Sequence, residues 1–285
     1  MDESTGLPVV GVVGAGPPTR MVQQAALGLG VTLRVFGRDR RSLDELRNFA
    51  QGCDAITCLD GRVPIEHVAV LEADGVAVHP GADALRSAQR VPVDERAGAR
   101  VLAVVVARSP FGQGAVWPVT ELVAEVVAPA PDLEAEAAGA AQRLALRTAR
   151  EIGATGVLAV EMHATADGFA VRRVAVGPHP AANWTIEGAR TSQYEQHLRA
   201  VLDYPLGTTA PAAPVVVTAG VAWRPGVPPG IDERVHHAMA HWPDVKIHMY
   251  GTDPPSGHVT ALGEDLGVVR GSARAAADYL TKGKT

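Results

Sequence analysis

Between Pro8 and His79, four short apolar runs alternate with three helix-patterned stretches. The apolar runs lie in Pro8–Gly16, Val31–Phe36, Cys53–Cys58 and Val76–His79. The stretches between them are Thr19–Leu29, Arg41–Gln51 and Pro64–Ala73. Strands that alternate with helices at this spacing return to a sheet in the same direction each time. The pattern therefore predicts a doubly wound parallel sheet, with helices on both faces, over residues 1–90.

After residue 90 the rhythm changes. Val101–Arg108 is apolar without alternation, which predicts a strand covered on both faces. Ala115–Val127 reads as one or two further strands. Pro131–Ile152 is rich in Ala, Glu and Arg and reads as a helix, with Asp132 as its N-cap. Gly156–Met162 and Gly168–Val176 read as paired strands across a polar turn, and Glu187–Leu202 as a helix with a charged exterior. Pro205–Pro214 is a Pro/Ala/Thr-rich connector, followed by strands at Val215–Val221 and Lys246–Tyr250 and a helix near Gly271–Thr281. This divides the 285 residues into segments 1–90, 91–207 and 208–285.

Composition narrows the classes. The chain is 47% hydrophobic and 20% charged, enough apolar material for a sizeable core. Aromatics make up only 4%, so Val, Ala and Leu must fill that core. No apolar run is long enough to cross a bilayer, and no secretory leader is read at the N-terminus. Two cysteines argue against a disulfide scaffold, and the expectation is a cytoplasmic protein. The net charge is −5 and no basic block stands out, so neither nucleic acid nor membrane is an expected partner. Of 26 basic residues only Lys246, Lys282 and Lys284 are lysines.

Individual motifs give less. Gly11, Gly14 and Gly16, followed by Arg20, form a strand-to-helix turn of the kind that admits a phosphate. Two prolines, Pro17 and Pro18, remove N–H donors from it, so a purely structural turn is the stronger reading. Cys53 and Cys58 have poor zinc spacing and read as buried thiols. His236 and His237 read as surface residues; the scattered His163, His179, His197 and His258 could supply ligands. There is no nucleophile elbow and no P-loop.

The longest informative stretch is Gly156-VLAVEM, then Phe169-AVRRVAVGPHPAANWTIEGARTSQYEQHLRAVLDYPLG, ending at Gly207. It resembles the catalytic domain of the N5-carboxyaminoimidazole ribonucleotide synthases, ATP-grasp enzymes of purine biosynthesis. Trp184–Gly188 and Thr191–Ala200 carry most of the likeness. Gly11–Met21, Val78–Gln89, Lys246–Gly251 and Gly257–Gly263 also resemble family segments, in family order. The resemblance implies an α/β fold. It consists of an N-terminal doubly wound parallel sheet (the pre-ATP-grasp domain), an ATP-grasp-like catalytic domain and a small C-terminal β-rich domain. It further implies a homodimer and a nucleotide-like small-molecule ligand. The family uses Mg–ATP to activate bicarbonate and carboxylates aminoimidazole ribonucleotide.

The sequence departs from that pattern in three places. The family likeness breaks off at Gln89 and resumes near Val93, so the lid between them is missing, along with any lysine it would carry. Glu161 matches one metal-binding carboxylate, but the second falls at Arg173 and its neighbouring Asn at Arg172. Hard cations need oxygen donors, so a Glu161–Arg173 ion pair is expected in place of a Mg²⁺ site. In the substrate region the family's Arg, Asn and Ser fall at Gly177, Pro180 and Ala181, leaving His179 and Trp184. The family's acidic loop becomes Cys58–Pro64, and its basic clamp shortens to Pro254–His258.

The sequence thus leads to a divergent, lidless relative, acting as a pseudoenzyme or binding protein, for which no cofactor is expected. One alternative is the family's ATP-dependent activity, which would bring ATP and Mg²⁺. Another is ATP-independent chemistry at Glu161, His179, Asp60 and Arg173.

Overall fold

The computed structural model describes residues 6–37, 42–59, 63–94, 100–166, 168–222, 230–252 and 255–283. The first ninety residues follow the expected alternation: β1 (Val9–Val13), α1 (Pro17–Leu29), β2 (Thr32–Phe36), α2 (Leu43–Ala50), β3 (Ala55–Cys58), α3 (Ile65–Ala73) and β4 (Val78–His79). The four strands form a parallel sheet in the order β2-β1-β3-β4. Val10 and Val12 face α1, whereas Val13 and Ile56 face the side of α2 and α3, so both faces are covered. Pro17 starts α1 where an unpaired N–H costs nothing, and Gly30 ends it in the left-handed conformation.

The rest of the chain builds one large sheet. Helix α4 (Ala82–Gln89) leads to β5 (Val101–Arg108), then β6 (Gly114–Val116), β7 (Thr120–Leu122), β8 (Val126–Ala128), α5 (Ala135–Ile152), β9 (Gly156–Thr165) and β10 (Gly168–Val176). A 3-10 turn at Pro180–Ala182 precedes α6 (Thr185–Gly188) and α7 (Gln193–Val201). The chain continues through β11 (Val215–Ala222), α8 (Ile231–His241), β12 (Lys246–Thr252), β13 (Pro255–Gly263) and α9 (Leu266–Lys282). The sheet runs β10-β9-β5-β7-β8-β11-β13-β12, with β6 paired to β5. Its interstrand pairings are antiparallel, and β8 pairs with β11. Residues on either side of 207 therefore share one sheet.

Several local expectations are corrected. Three short strands replace the one or two expected over Ala115–Val127. Asp132 does not cap α5: it has φ 53, and the helix begins three residues later behind Glu134. The expected helix Glu187–Leu202 is broken at Ala189, where an isolated bridge to Pro211 pulls the backbone into extended geometry. It restarts behind Ser192, whose hydroxyl accepts the Glu195 N–H. Helix α9 starts at Leu266 because Asp265 caps it. Helices α4 and α8 and strand β13 were not anticipated.

Helix α5 buries Ala141, Ala145, Thr148, Ala149 and Ile152, a stripe at i, i+4, i+7, i+8 and i+11. Small side chains let it settle on Leu158, Val160 and Met162 of β9. Side chains alternate along a strand, so Val157, Ala159, Glu161 and His163 point to the opposite face. That face packs against Ala182 and Trp184. Helix α7 joins the two sheets: Tyr194, Leu198 and Val201 pack with Val10, Met21 and Val22.

Candidate active site

Three of the sequence candidates come together on this inner face of β9 and β10. Glu161 is 6% exposed. Arg173 is its partner in the strand register, and His179 Nε2 lies 3.8 Å from its Oε1. The expected ion pair forms with a different arginine. Arg172 Nη1 donates to Glu161 Oε2, while Arg173 remains exposed. A β-bulge explains the exchange. The register shifts between Val171 and Arg173, leaving Arg172 as the extra residue and allowing its side chain to reach the carboxylate.

His179 is held by its backbone. Its N–H donates to Gln193 Oε1 at 2.8 Å, and its C=O accepts from Gln193 Nε2 at 2.9 Å. Its Nδ1 accepts the Ala181 N–H at 3.2 Å, leaving Nε2 to face Glu161. Burial lowers the imidazole's proton affinity; the Glu161 charge opposes that and the Arg173 charge adds to it.

A second polar chain runs from Gln193. Its Nε2 also donates to Asn183 Oδ1 at 3.1 Å, and Tyr194 Oη donates there at 2.8 Å. Two donors on one oxygen fix the amide's orientation, so Asn183 Nδ2 donates to Tyr250 Oη at 2.9 Å. The Tyr250 hydroxyl is also hydrogen-bonded to His258 Nδ1. His258 Nε2 is buried without a partner. Burial and His248 beside it push its pKa down to about 3. Asn183, Tyr250 and His258 line a cavity of about 230 Å³, with Thr218, Glu125 and the β7–β8 turn. His248 stacks on His258 at 4.7 Å and bonds Glu187 Oε1 at 2.6 Å.

Other candidates lie elsewhere. Gly11, Gly14 and Gly16 sit on the parallel sheet. A Cβ at Gly11 would meet Ile56 Cδ1 at 2.3 Å, so this glycine serves packing. Gly14 and Gly16 have φ 141 and 109, a turn that favours glycine, and the Gly14 N–H is spent on Phe36 C=O. Arg20 is exposed on α1. Asp60 lies outside the described residues. Sequence reasoning missed Asn183, Gln193 and Tyr250. Their signal was available: they are polar residues inside the most family-like segments.

The donor set does not fit Mg²⁺. The carboxylate that would bind it is occupied by a guanidinium, and Arg173 stands where a second carboxylate is needed. Among the described residues no group of three or more His, Cys, Asp or Glu could hold a metal ion.

Residues 86–194 match the ATP-grasp domain model, and the arrangement of sheets and helices is that of an ATP-grasp protein. The chain is 36% identical to the N5-carboxyaminoimidazole ribonucleotide synthase of Mycobacterium tuberculosis, over 97% of this chain and 89% of that protein. It therefore belongs to the N5-carboxyaminoimidazole ribonucleotide synthase family. The alignment spans 382 positions against a chain of 285, so roughly a hundred residues of the relative have no counterpart here. The synthetase of Thermotoga maritima shares the fold with TM-score 0.83 at 21% identity, covering 95% of this chain and 98% of that one. The Aspergillus clavatus synthase, in complex with ADP and 5-aminoimidazole ribonucleotide, also gives 0.83, at 19% identity over 96% and 99%. No described helix is long and apolar enough to cross a membrane.

Proposed function

We propose that this chain is a small-molecule-binding member of the family that does not perform ATP-dependent carboxylation. The observation carrying this reading is the Glu161–Arg172 ion pair, which sets a fixed cation against the one retained family carboxylate. Chain length supports it. Only residues 90–100 separate α4 from β5, too few for the lid the family carries there. Without a lid, a triphosphate loses one wall and the lysines that would meet it. The 230 Å³ cavity beside Asn183 and His258 offers a ligand one buried, unpartnered imidazole nitrogen, His258 Nε2. A neutral imidazole there suits a ligand that presents one complementary hydrogen-bonding group.

Family membership favours a second reading, the ATP-dependent synthesis of N5-carboxyaminoimidazole ribonucleotide. The names of the relatives support that activity more directly than they support its loss. The two readings separate in one assay. Purified protein is mixed with Mg–ATP, bicarbonate and aminoimidazole ribonucleotide, and ADP release is followed. The first reading expects no release above the protein-free rate. Turnover dependent on all three substrates overturns it and establishes the second.

A further inference from the structure

The misfit of Mg²⁺ at Glu161 has a positive side. In place of a carboxylate pair, this strand pair holds one carboxylate and two guanidinium groups. Arg172 and Arg173 are adjacent on β10, and Glu161 is the acid paired with them among the described residues. Arginine does not lose its proton in proteins, so the two guanidinium groups beside an ionised Glu161 leave one net positive charge.

Its donors are also unspent. Arg172 uses Nη1 on Glu161, but its Nε–H is buried with no acceptor. Arg173 is exposed, and no carboxylate lies within ion-pair distance of it among the described residues. His179 accepts at Nδ1, so its neutral ring carries the proton on Nε2. At 3.8 Å from Glu161 Oε1, that N–H lies beyond hydrogen-bond length. A buried donor without an acceptor is costly, and an arginine fork matches the geometry of phosphate and carboxylate oxygens.

We infer that Arg172, Arg173 and His179 form a metal-independent oxyanion site that takes the phosphate group of a small phosphorylated ligand. Glu161 orients Arg172 and limits the net charge to one, which favours a single small anion over a polyphosphate. The site rests on the reading that this chain does without Mg–ATP. The guanidinium groups occupy the role that a metal ion plays toward phosphate oxygens, so chelation leaves them intact.

Isothermal titration with inorganic phosphate, in EDTA and at constant ionic strength, tests the inference; bicarbonate is the parallel arm. Saturable phosphate binding is expected, unchanged by replacing EDTA with Mg²⁺, and about tenfold weaker in Arg173→Gln. Arg173 is exposed, so this variant keeps its fold. Glu161→Gln removes the negative charge held against Arg172 and should tighten phosphate binding, a gain that misfolding cannot imitate. Bicarbonate binding with the same Arg173 dependence, in place of phosphate, would keep the oxyanion chemistry and replace the phosphorylated ligand by a carboxylate. The inference is overturned by absent saturation with both anions, by equal affinity in Arg173→Gln, or by binding that needs Mg²⁺. ATP turnover in the assay above would defeat the metal-free function, yet an Arg173-dependent titration in EDTA would still stand.

Discussion

Arg172 closes on Glu161 from a bulge, although Arg173 is the residue directly across the ladder. Opposed positions on paired strands put their side chains on one face, so pairing with Arg173 was the sound expectation from spacing. The extra residue of the bulge changes which cation reaches the carboxylate. The Glu161 side chain is only 8% exposed and that of Arg172 23%, whereas Arg173 faces solvent.

The two arginines should therefore differ sharply in stability. Arg172→Ala leaves a buried carboxylate without its partner and is expected to cost about 3–5 kcal/mol. Arg173→Ala removes an exposed cation and should stay within about 0.5 kcal/mol of the parent. Urea unfolding of the two variants checks this. Equal losses would mean that the bulge does not choose between them.

Metal should have no effect on the native protein. A ligand that binds only the folded state stabilises it by mass action, by about 2.7 kcal/mol at one hundred times its Kd. With Glu161 held by Arg172, melting in millimolar Mg²⁺ and in EDTA should coincide. A Tm several degrees higher in Mg²⁺ would reveal a cation site at odds with this donor set.

The parallel sheet was legible because its signal is local: each strand and helix between Val9 and His79 carries its own apolar run and breaker. The gathering of Glu161, Arg173 and His179 was legible through family likeness. What escaped was the use made of polar residues in α7. The helix there reads as charged on its exterior, and nothing in its pattern singles out Gln193, Gln196 and His197, each of which is fully buried. Gln196 clamps the backbone of Gly207 from both sides, as Gln193 clamps His179. Such residues satisfy backbone groups of segments distant in sequence, and no periodicity reports that. The bulge at Arg172 was equally invisible, since one inserted residue leaves the apolar alternation around it readable in either register.

Glutamine 193 should therefore prove structural as well as local to the site. Gln193→Leu keeps the volume but strips two bonds from His179 and one from Asn183. Buried groups left unpaired cost about 1–3 kcal/mol each, so a loss of 3 kcal/mol or more is expected. A denaturant midpoint for Gln193→Leu equal to that of the parent would contradict the network.

His197 ties the two sheets together. Its Nε2 bonds Thr57 Oγ1 of the parallel sheet at 2.8 Å, and its Nδ1 accepts the Val157 N–H of β9 at 3.1 Å. Gly156 makes room for the ring: a Cβ there would lie 2.8 Å from it, and φ is +99. Gly156→Ala and His197→Ala should each destabilise, by about 1–3 kcal/mol for the strained backbone and more for the lost imidazole. The double variant should lose less than the sum, because removing the ring removes the clash. Strict additivity would place the cost of Gly156→Ala entirely in its backbone.

The same imidazole sets how the fold answers to acid. Burial pushes the pKa of His197 down to about 3, with the neighbouring His79 adding to the effect, and His258 is pushed down to about 3 as well. An unfolded histidine titrates near 6.5, so between about pH 6.5 and 3 the unfolded chain binds protons that the native protein refuses. More protons on the unfolded side means stability falls as pH falls, by up to about 1.4 kcal/mol per pH unit for each residue. At pH 5 the two together should have removed about 4 kcal/mol, a large share of the 5–15 kcal/mol typical of a folded protein. Above pH 7 both are neutral in either state and contribute no slope. Unfolding free energies measured in urea from pH 8 to 4 should be flat at first and then decline below about 6.5. His258→Asn should lessen that decline by about one proton, since Asn does not titrate. An unchanged slope in this variant, or a decline that begins only below pH 4.5 where carboxylates titrate, would show that the buried imidazoles are not what makes the protein acid-sensitive.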